Sequence, residues 1–230
     1  MFLLPLGIFC PKRAENSCLG GLFLAFFKKK GGEMEVLPIK RAILSVTDKS
    51  NLAELARFLQ AQGVEIVSTG GTKRVLEEAG IKVTSVSEIT RFPEILNGRV
   101  KTLHPHIHAG VLGDKDNPEH VKTLQELALD FFDLICVNLY NFAQAVENSL
   151  DLKAAIEQID IGGPTLLRAG AKNFHSVCVL PHPKFYPEFQ KEWETHQGIS
   201  LEFRLKMAAY TFEMTSKYDA MIASYLQKHF

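Results

Sequence analysis

The sequence has no excess of either charge, no cysteine framework and no apolar run long enough to span a membrane. Lys plus Arg and Asp plus Glu number 26 each. With no long like-charged run, nothing points to a polyanionic partner such as nucleic acid. The four cysteines, Cys10, Cys18, Cys136 and Cys178, are scattered, two near the N-terminus and two inside apolar runs. That fits neither zinc-ligand spacing nor a disulfide scaffold, and it points to reduced thiols in a cytoplasmic setting. The runs "FLLPLGIF" and "LGGLFLAFF" fall well short of the roughly 20 residues of a spanning helix, and basic residues follow rather than precede them, unlike a secretory signal. The expected partner is a small molecule, with no membrane or nucleic acid involved.

What is present is a 230-residue chain with 46% hydrophobic content, enough for one good core and cramped for two. Residues 1–36 carry Phe, Leu and Gly clusters followed by "KKKGGE", with no period that would seat them on a core. They read as an appendage, either a disordered tail or residues ahead of a start at Met34. From Arg41 the chain alternates β-branched runs with amphipathic stretches: "RAILSVT", "NLAELARFLQAQG", "VEIVST", "TKRVLEEAG" and "KVTSVS". Gly63 and Gly80 fall where each helix should stop, and the strands are apolar enough to be buried on both faces. This is a βαβαβ unit with a parallel sheet. Beyond it the pattern predicts a strand over 108–112, a helix over 119–129, the strand "DLICVNLY", helices over 152–159 and 165–172, the strand "SVCVLP", and long C-terminal helices.

In open parallel sheets, ligands collect where strands run into helices. Four such loops are polar in an informative way, and all should open on one edge of the sheet. "STGGT", Ser68 to Thr72, offers two glycines, flanking hydroxyls and a helix N-terminus, which suit a phosphate. It also reads as a tight turn with a Thr cap. "SVTDKS" adds Ser45, Thr47 and Lys49 on the neighbouring strand and favours the phosphate. "DIGGPT" frees the amides of Gly162 and Gly163 ahead of Pro164, or is simply a well-made helix start. "NLYNF" sets Asn138 and Tyr140 on one face, lining a site or capping the core.

A further loop, "ILNGRVKTLHPHIHAGVL", packs Arg99, Lys101, Thr102, His104, His106 and His108 together. Extended, the three histidines would share a face and could hold zinc, but no acid or cysteine ligand lies near in sequence and no metal is expected. Arg99, Lys101 and Thr102 supply two cations and a hydroxyl for an anion or an oxyanion. A solvated basic turn is the plain alternative. Lys172 at a helix end is accounted for by the helix dipole alone.

"LSVTDKS", "STGGT", "FPEILNGRVKTLHPHIHAGVL", "NLY", "IEQIDIGGPTLLRAGAKN" and "YTFEMTSKYDAMIASYL" resemble, in order and spacing, the inosine monophosphate cyclohydrolase domain of the bifunctional purine-biosynthesis enzyme, from about Arg41 to the C-terminus. The resemblance implies an α/β, methylglyoxal-synthase-like three-layer fold over residues 37–230, with a mostly parallel central sheet and a helical C-terminal part. It implies ring closure of formamidoimidazole carboxamide ribotide to inosine monophosphate with loss of water, without metal or cofactor. 10-Formyltetrahydrofolate would serve only the formyltransferase domain, which is absent here. By the same resemblance Lys101, Tyr140, Asp160 and Lys172 form the catalytic set. Asp160 and Lys172 would manage protons together. Ser45, Thr47, Lys49, Thr69, Gly71, Thr72, Arg99, Thr102, Ile161, Gly162 and Gly163 would bind the nucleotide. A homodimer, and a separate formyltransferase domain as partner, are also implied.

Three residues depart from the family pattern: Asn141 replaces a proline after Tyr140, Thr69 a serine, and Gly170 an alanine. None removes a chemical group. A non-catalytic nucleotide-sensing module of the same fold is the alternative; it would need the phosphate loops but not the four catalytic residues together. Methylglyoxal synthase itself lacks the "GRVKTLHP" and "EQIDIGGPT" motifs and ranks behind both.

Overall fold

The computed structural model describes residues 36–140, 142 and 151–229. The N-terminal stretch read as an appendage and the position of Asn141 lie outside them. A short strand β1 (Val36–Leu37) leads into β2 (Arg41–Ser45), α1 (Leu52–Ala61), β3 (Glu65–Ser68), α2 (Gly70–Glu78), β4 (Thr84–Ser85) and α3 (Val86–Thr90). Next come α4 (Pro105–Leu112), α5 (Pro118–Glu126), β5 (Leu134–Val137), α6 (Leu152–Ile156), α7 (Gly162–Lys172) and β6 (Cys178–Leu180). The chain closes with α8 (Tyr186–His196), β7 (Ile199–Ser200) and α9 (Leu201–Leu226).

Five strands pair in the order β4-β3-β2-β5-β6, each neighbour parallel to the next. The central strands are continuous apolar runs because both faces are covered: Ala42, Ile43, Leu44, Leu134, Ile135 and Cys136 are all fully buried. α1 presents Leu52, Leu55, Ala56 and Leu59 to this core, the spacing of one helical face. It stops as expected at Gly63, whose φ of +77° lets Val64 N donate to Leu59 O at 3.0 Å, a Schellman closure that a side chain would strain. The α/β alternation and the parallel sheet expected from the sequence are therefore present.

Several expectations need correction. Residues 108–112 are not a strand but the second half of α4. His104 Nδ1 accepts from His106 N at 3.2 Å and Pro105 takes the first helical turn, where its missing N–H costs nothing. Ile107, Gly110 and Val111 are buried at helical spacing, and a Cβ on Gly110 would stand 2.4 Å from Asp130 O, so this helix lies directly on backbone. The histidines are consequently not on one extended face. The "DIGGPT" turn is also partly helix: α7 begins at Gly162, with Pro164 inside its first turn. Finally, β1 and β7 form a separate antiparallel pair that the sequence reading did not anticipate. The expected helices over 119–129 and 152–159 are shorter, capped by Asn117 and Asp151.

The long α9 lies along α7 and β6. Ser200 Oγ accepts from Phe203 N at its start, and Arg204, almost fully buried, donates to Phe174 O at 3.0 Å and to His175 O. A buried guanidinium that answers backbone carbonyls ties the helix to the loop after α7.

Candidate active site

Because every pair in the five-stranded sheet is parallel, the carboxyl ends of β2, β3, β5 and β6 share one edge, and the loops leaving them meet there. Side-chain bonds sew these loops together. Asn138 Oδ1 accepts from Thr47 N at 2.7 Å and Asp48 N at 3.0 Å, while its Nδ2 donates to Asp48 O at 2.9 Å. The Thr72 hydroxyl bonds both Val46 N and Val46 O at 3.0 Å. These two nearly buried residues fix the "SVTDKS" loop against its neighbours, so the Thr72 hydroxyl holds the frame and is already committed. Half-buried Ser45 and Thr47 line the loop, and the exposed Lys49 Nζ donates to Thr47 O at 3.3 Å.

The "STGGT" loop enters α2 with Thr69 at its N-cap, yet the Thr69 side chain makes no capping bond. Its hydroxyl donates instead to Glu94, leaving the first amides of α2 without a side-chain acceptor. Gly71 is exposed, and a Cβ there would meet nothing within 4 Å. Two glycines and an uncapped N-terminus give an anion a place to approach backbone donors.

Lys101 comes from the segment between α3 and α4 and lies directly on this loop. A Cβ on Gly70 would stand 2.9 Å from Lys101 Nζ, and one on Gly98 would stand 2.6 Å from Lys101 Cε. The two glycines are the groove in which the lysine side chain lies. Its ammonium faces Glu94 at 3.5 Å. Arg99 pairs with Glu157, which follows α6. Thr102 is buried, and a Cβ on Gly162 would stand 3.3 Å from its hydroxyl, so the lysine segment touches the start of α7.

There Asp160 is held in a defined pose. Its carboxylate accepts from Gly163 N at 2.9 Å, and a Cβ on Gly163 would stand 2.3 Å from Asp160 Oδ2. Gly163 therefore makes room for the aspartate, and its amide is engaged there rather than available to substrate. Asp160 N contacts the Tyr218 hydroxyl at 2.8 Å, with Tyr218 buried in α9. Burial raises the Asp160 carboxyl above its ordinary range, partly offset by the Gly163 amide, which prepares the group to hold and return a proton. Tyr140 is half exposed at the end of the β5 loop, and Ile161 is 60% exposed.

Lys172 stands apart. It is exposed at the last turn of α7, ten residues from Gly162, which a rise of 1.5 Å per residue turns into about 15 Å along the axis. Within one chain the two do not meet, and the expected proton-handling role of Lys172 rests on the resemblance alone. Among the described residues no three His, Cys, Asp or Glu side chains are grouped to hold a metal. His104 caps α4, His106 Nδ1 bonds Ile89 O at 3.3 Å, and His108 Nε2 is buried without a partner.

Sequence reasoning missed Glu94, Tyr218 and His182. Their ties to the site span 25 to 58 residues of sequence or, for the exposed His182 after β6, rest on proximity to Asp48. The acid in "FPEILNGRVK" was in view as part of a motif, but no local pattern showed what it touches.

Residues 51–165 match the MGS-like domain family. The chain belongs to that family. Residues 170–230 match the family described as the AICARFT/IMPCHase bienzyme. Among curated proteins, the bifunctional purine biosynthesis protein PurH of Acetivibrio thermocellus is 49% identical over 83% of this chain. PurH of Ligilactobacillus salivarius is 52% identical over 83% of it. The chain spans 37% of the length of each of these relatives. A solved structure described as ForH superposes with a TM-score of 0.71 at 32% identity, covering 80% of this chain and 95% of that one. Among the described residues, no helix is long and apolar enough to cross a membrane.

Proposed function

We propose that this MGS-like domain, residues 37–230, is an inosine monophosphate cyclohydrolase. It closes the ring of 5-formamidoimidazole-4-carboxamide ribotide with loss of water, in the cytoplasm and without metal or cofactor. The observation that carries the proposal is the seat of Lys101: its ammonium lies over Gly70 of the phosphate loop, and the next residue, Thr102, lies against Gly162 at the start of α7. The lysine segment thus runs from the anion cradle to the start of α7, beside Asp160. The AICARFT/IMPCHase match over residues 170–230 and the purine-biosynthesis relatives support the same reading.

In this account the substrate phosphate settles on the amides of Gly70 and Gly71 with Thr69, Thr47, Ser45 and Lys49 around it. The base then lies across the loop edge toward Thr102, Arg99 and Gly162, with Ile161 and Tyr140 at its rim. The carboxamide nitrogen attacks the formyl carbon, forming a C–N bond and placing negative charge on the formyl oxygen. Lys101 stabilises that oxygen, and Tyr140 donates a hydrogen bond to the tetrahedral species. Asp160 takes the proton released by the carboxamide nitrogen and returns it to the departing oxygen. The formamide nitrogen gives up the second proton as the C=N bond forms, and the oxygen leaves as water. Lys172 is proposed as the second proton-handling group, and its charge also complements the negative end of α7. The domain would work beside a formyltransferase domain that supplies its substrate, and as a homodimer.

The test is an ultraviolet assay of the purified protein, without metal or folate, given the formamido ribotide. Inosine monophosphate should appear above the uncatalysed rate, and Lys101→Ala should lower kcat about 100-fold or more. A raised KM with unchanged kcat in Lys101→Ala would reduce the lysine to a binding role. Tight product binding with no turnover in the parent chain would support a nucleotide sensor instead.

A further inference from the structure

The segment from Arg91 to His104 holds its shape through an unusual backbone. Ile95 and Val100 form an isolated antiparallel bridge around a turn in which Leu96, Asn97 and Gly98 all have positive φ, 53°, 54° and 84°. Two consecutive non-glycine residues in the left-handed region store strain, and Leu96 is 66% exposed at the tip. Outward from the bridge, the next opposed pair is Glu94 and Lys101, so their charges face each other across the two arms. From that position Glu94 does two things at once. One carboxylate oxygen accepts the Thr69 hydroxyl, and the other faces the Lys101 ammonium at 3.5 Å.

Both partners are groups that the cyclohydrolase reading assigns to the substrate: Thr69 to the phosphate, Lys101 to the reacting oxygen. We propose that Glu94 is a resident anion that occupies the phosphate-binding hydroxyl and keeps Lys101 parked over Gly70 until the substrate phosphate displaces it. This inference rests on the phosphate reading of the "STGGT" loop. The physical case is one of competition. A phosphate dianion entering between Thr69 and the first amides of α2 needs the hydroxyl that Glu94 holds, and the two anions repel at that range. Loading the site therefore breaks the Thr69 and Lys101 contacts of Glu94, which frees the lysine to turn toward the base as the phosphate anchors. The half-exposed Glu94–Lys101 pair is weak enough for this exchange, since pairs of that kind contribute little. The bond to Thr69 is charge-assisted and stronger.

The outcome expected of a resident competitor is the reverse of that expected of a structural residue: removing its charge should tighten ligand binding. Calorimetric titrations of inosine monophosphate and of inosine into the parent chain, Glu94→Gln and Glu94→Asp would decide it, with thermal melting to confirm that each variant folds. Glu94→Gln should bind inosine monophosphate about three- to tenfold more tightly, with inosine unchanged. Glu94→Asp keeps the charge but shortens the reach to Thr69, and should fall between. Equal or weaker nucleotide binding in Glu94→Gln would overturn the competitor role while leaving the cyclohydrolase reading intact. Equal tightening of inosine would overturn it too, by showing a looser segment rather than a phosphate contest. No binding of inosine monophosphate to the parent or to any variant would remove the phosphate site itself and the inference with it.

Discussion

The two edges of the same parallel sheet use charge in opposite ways. At the amino edge Asp133, Arg41 and Lys115 are held in one connected network. Asp133 accepts from Lys40 N at 2.7 Å and Arg41 N at 2.8 Å and pairs with Lys115. Arg41 meets Glu65 at 2.7 Å and Asp130 at 3.0 Å, and Lys115 Nζ also donates to Ser176 O at 2.8 Å. At the carboxyl edge two cations are held loosely: Lys101 by one carboxylate at 3.5 Å, Lys49 by one carbonyl at 3.3 Å. A closed network fixes strand register, because its partners lose more by separating than water returns. An open one keeps its donors for a ligand. The contrast sets the edge that carries the candidate site apart from the other.

The largest expected effect comes from the open edge. Asp160→Asn should lower turnover about 100- to 10,000-fold, the span of a lost general acid or base, measured in the ultraviolet assay. Its effect on the fold has the opposite sign. Burial raises the folded-state carboxyl above its unfolded value, so between those two values the folded protein binds more protons, and stability falls as pH rises through the window. Asp160→Asn, which still accepts from Gly163 N, should therefore equal the parent in stability at acid pH and exceed it at neutral pH. Denaturant titrations at both pH values check this; a variant less stable at neutral pH would break the contrast between the edges.

The closed edge should answer the other way. Asp133→Ala leaves Lys115 without its carboxylate and two backbone amides without an acceptor, and should cost about 3 kcal/mol or more of stability. The KM of whatever fraction stays folded should not change. A smaller effect is expected at the tip of the lysine segment. Asn97→Gly releases one left-handed residue and should change stability by about 0.5 kcal/mol or less in either direction, since relief of strain opposes a more flexible unfolded chain.

Much of this division was legible in the sequence. The strand and helix alternation follows from runs such as "RAILS" and "NLAELARFL", and a parallel sheet sends the strand-end loops to one edge. That rule puts Ser45, Thr47, Thr69, Gly71 and Asp160 near one another. What was not legible depends on contacts between distant segments. Gly163 reads as a donor of a free amide until Asp160 is seen lying against it, and Thr72 reads as a ligand hydroxyl until Val46 is seen to hold it. The Pro105 helix was read as a strand at its end because "HAGVL" is apolar and short, while its true start signal, His104 before Pro105, is an uncommon cap. Lys172 shows the remaining difficulty: a motif preserves order along the chain, but it does not say what the far end of an 11-residue helix faces.

The most direct test of the account is a backbone amide NMR titration of the protein with inosine monophosphate, which reads both edges in one experiment. Perturbations should concentrate at Thr47–Lys49, Thr69–Thr72, Lys101–Thr102 and Asp160–Gly163, with Lys115, Asp130 and Asp133 unmoved. Perturbations centred on the Lys115 and Asp133 edge, with the "STGGT" amides unmoved, would contradict it.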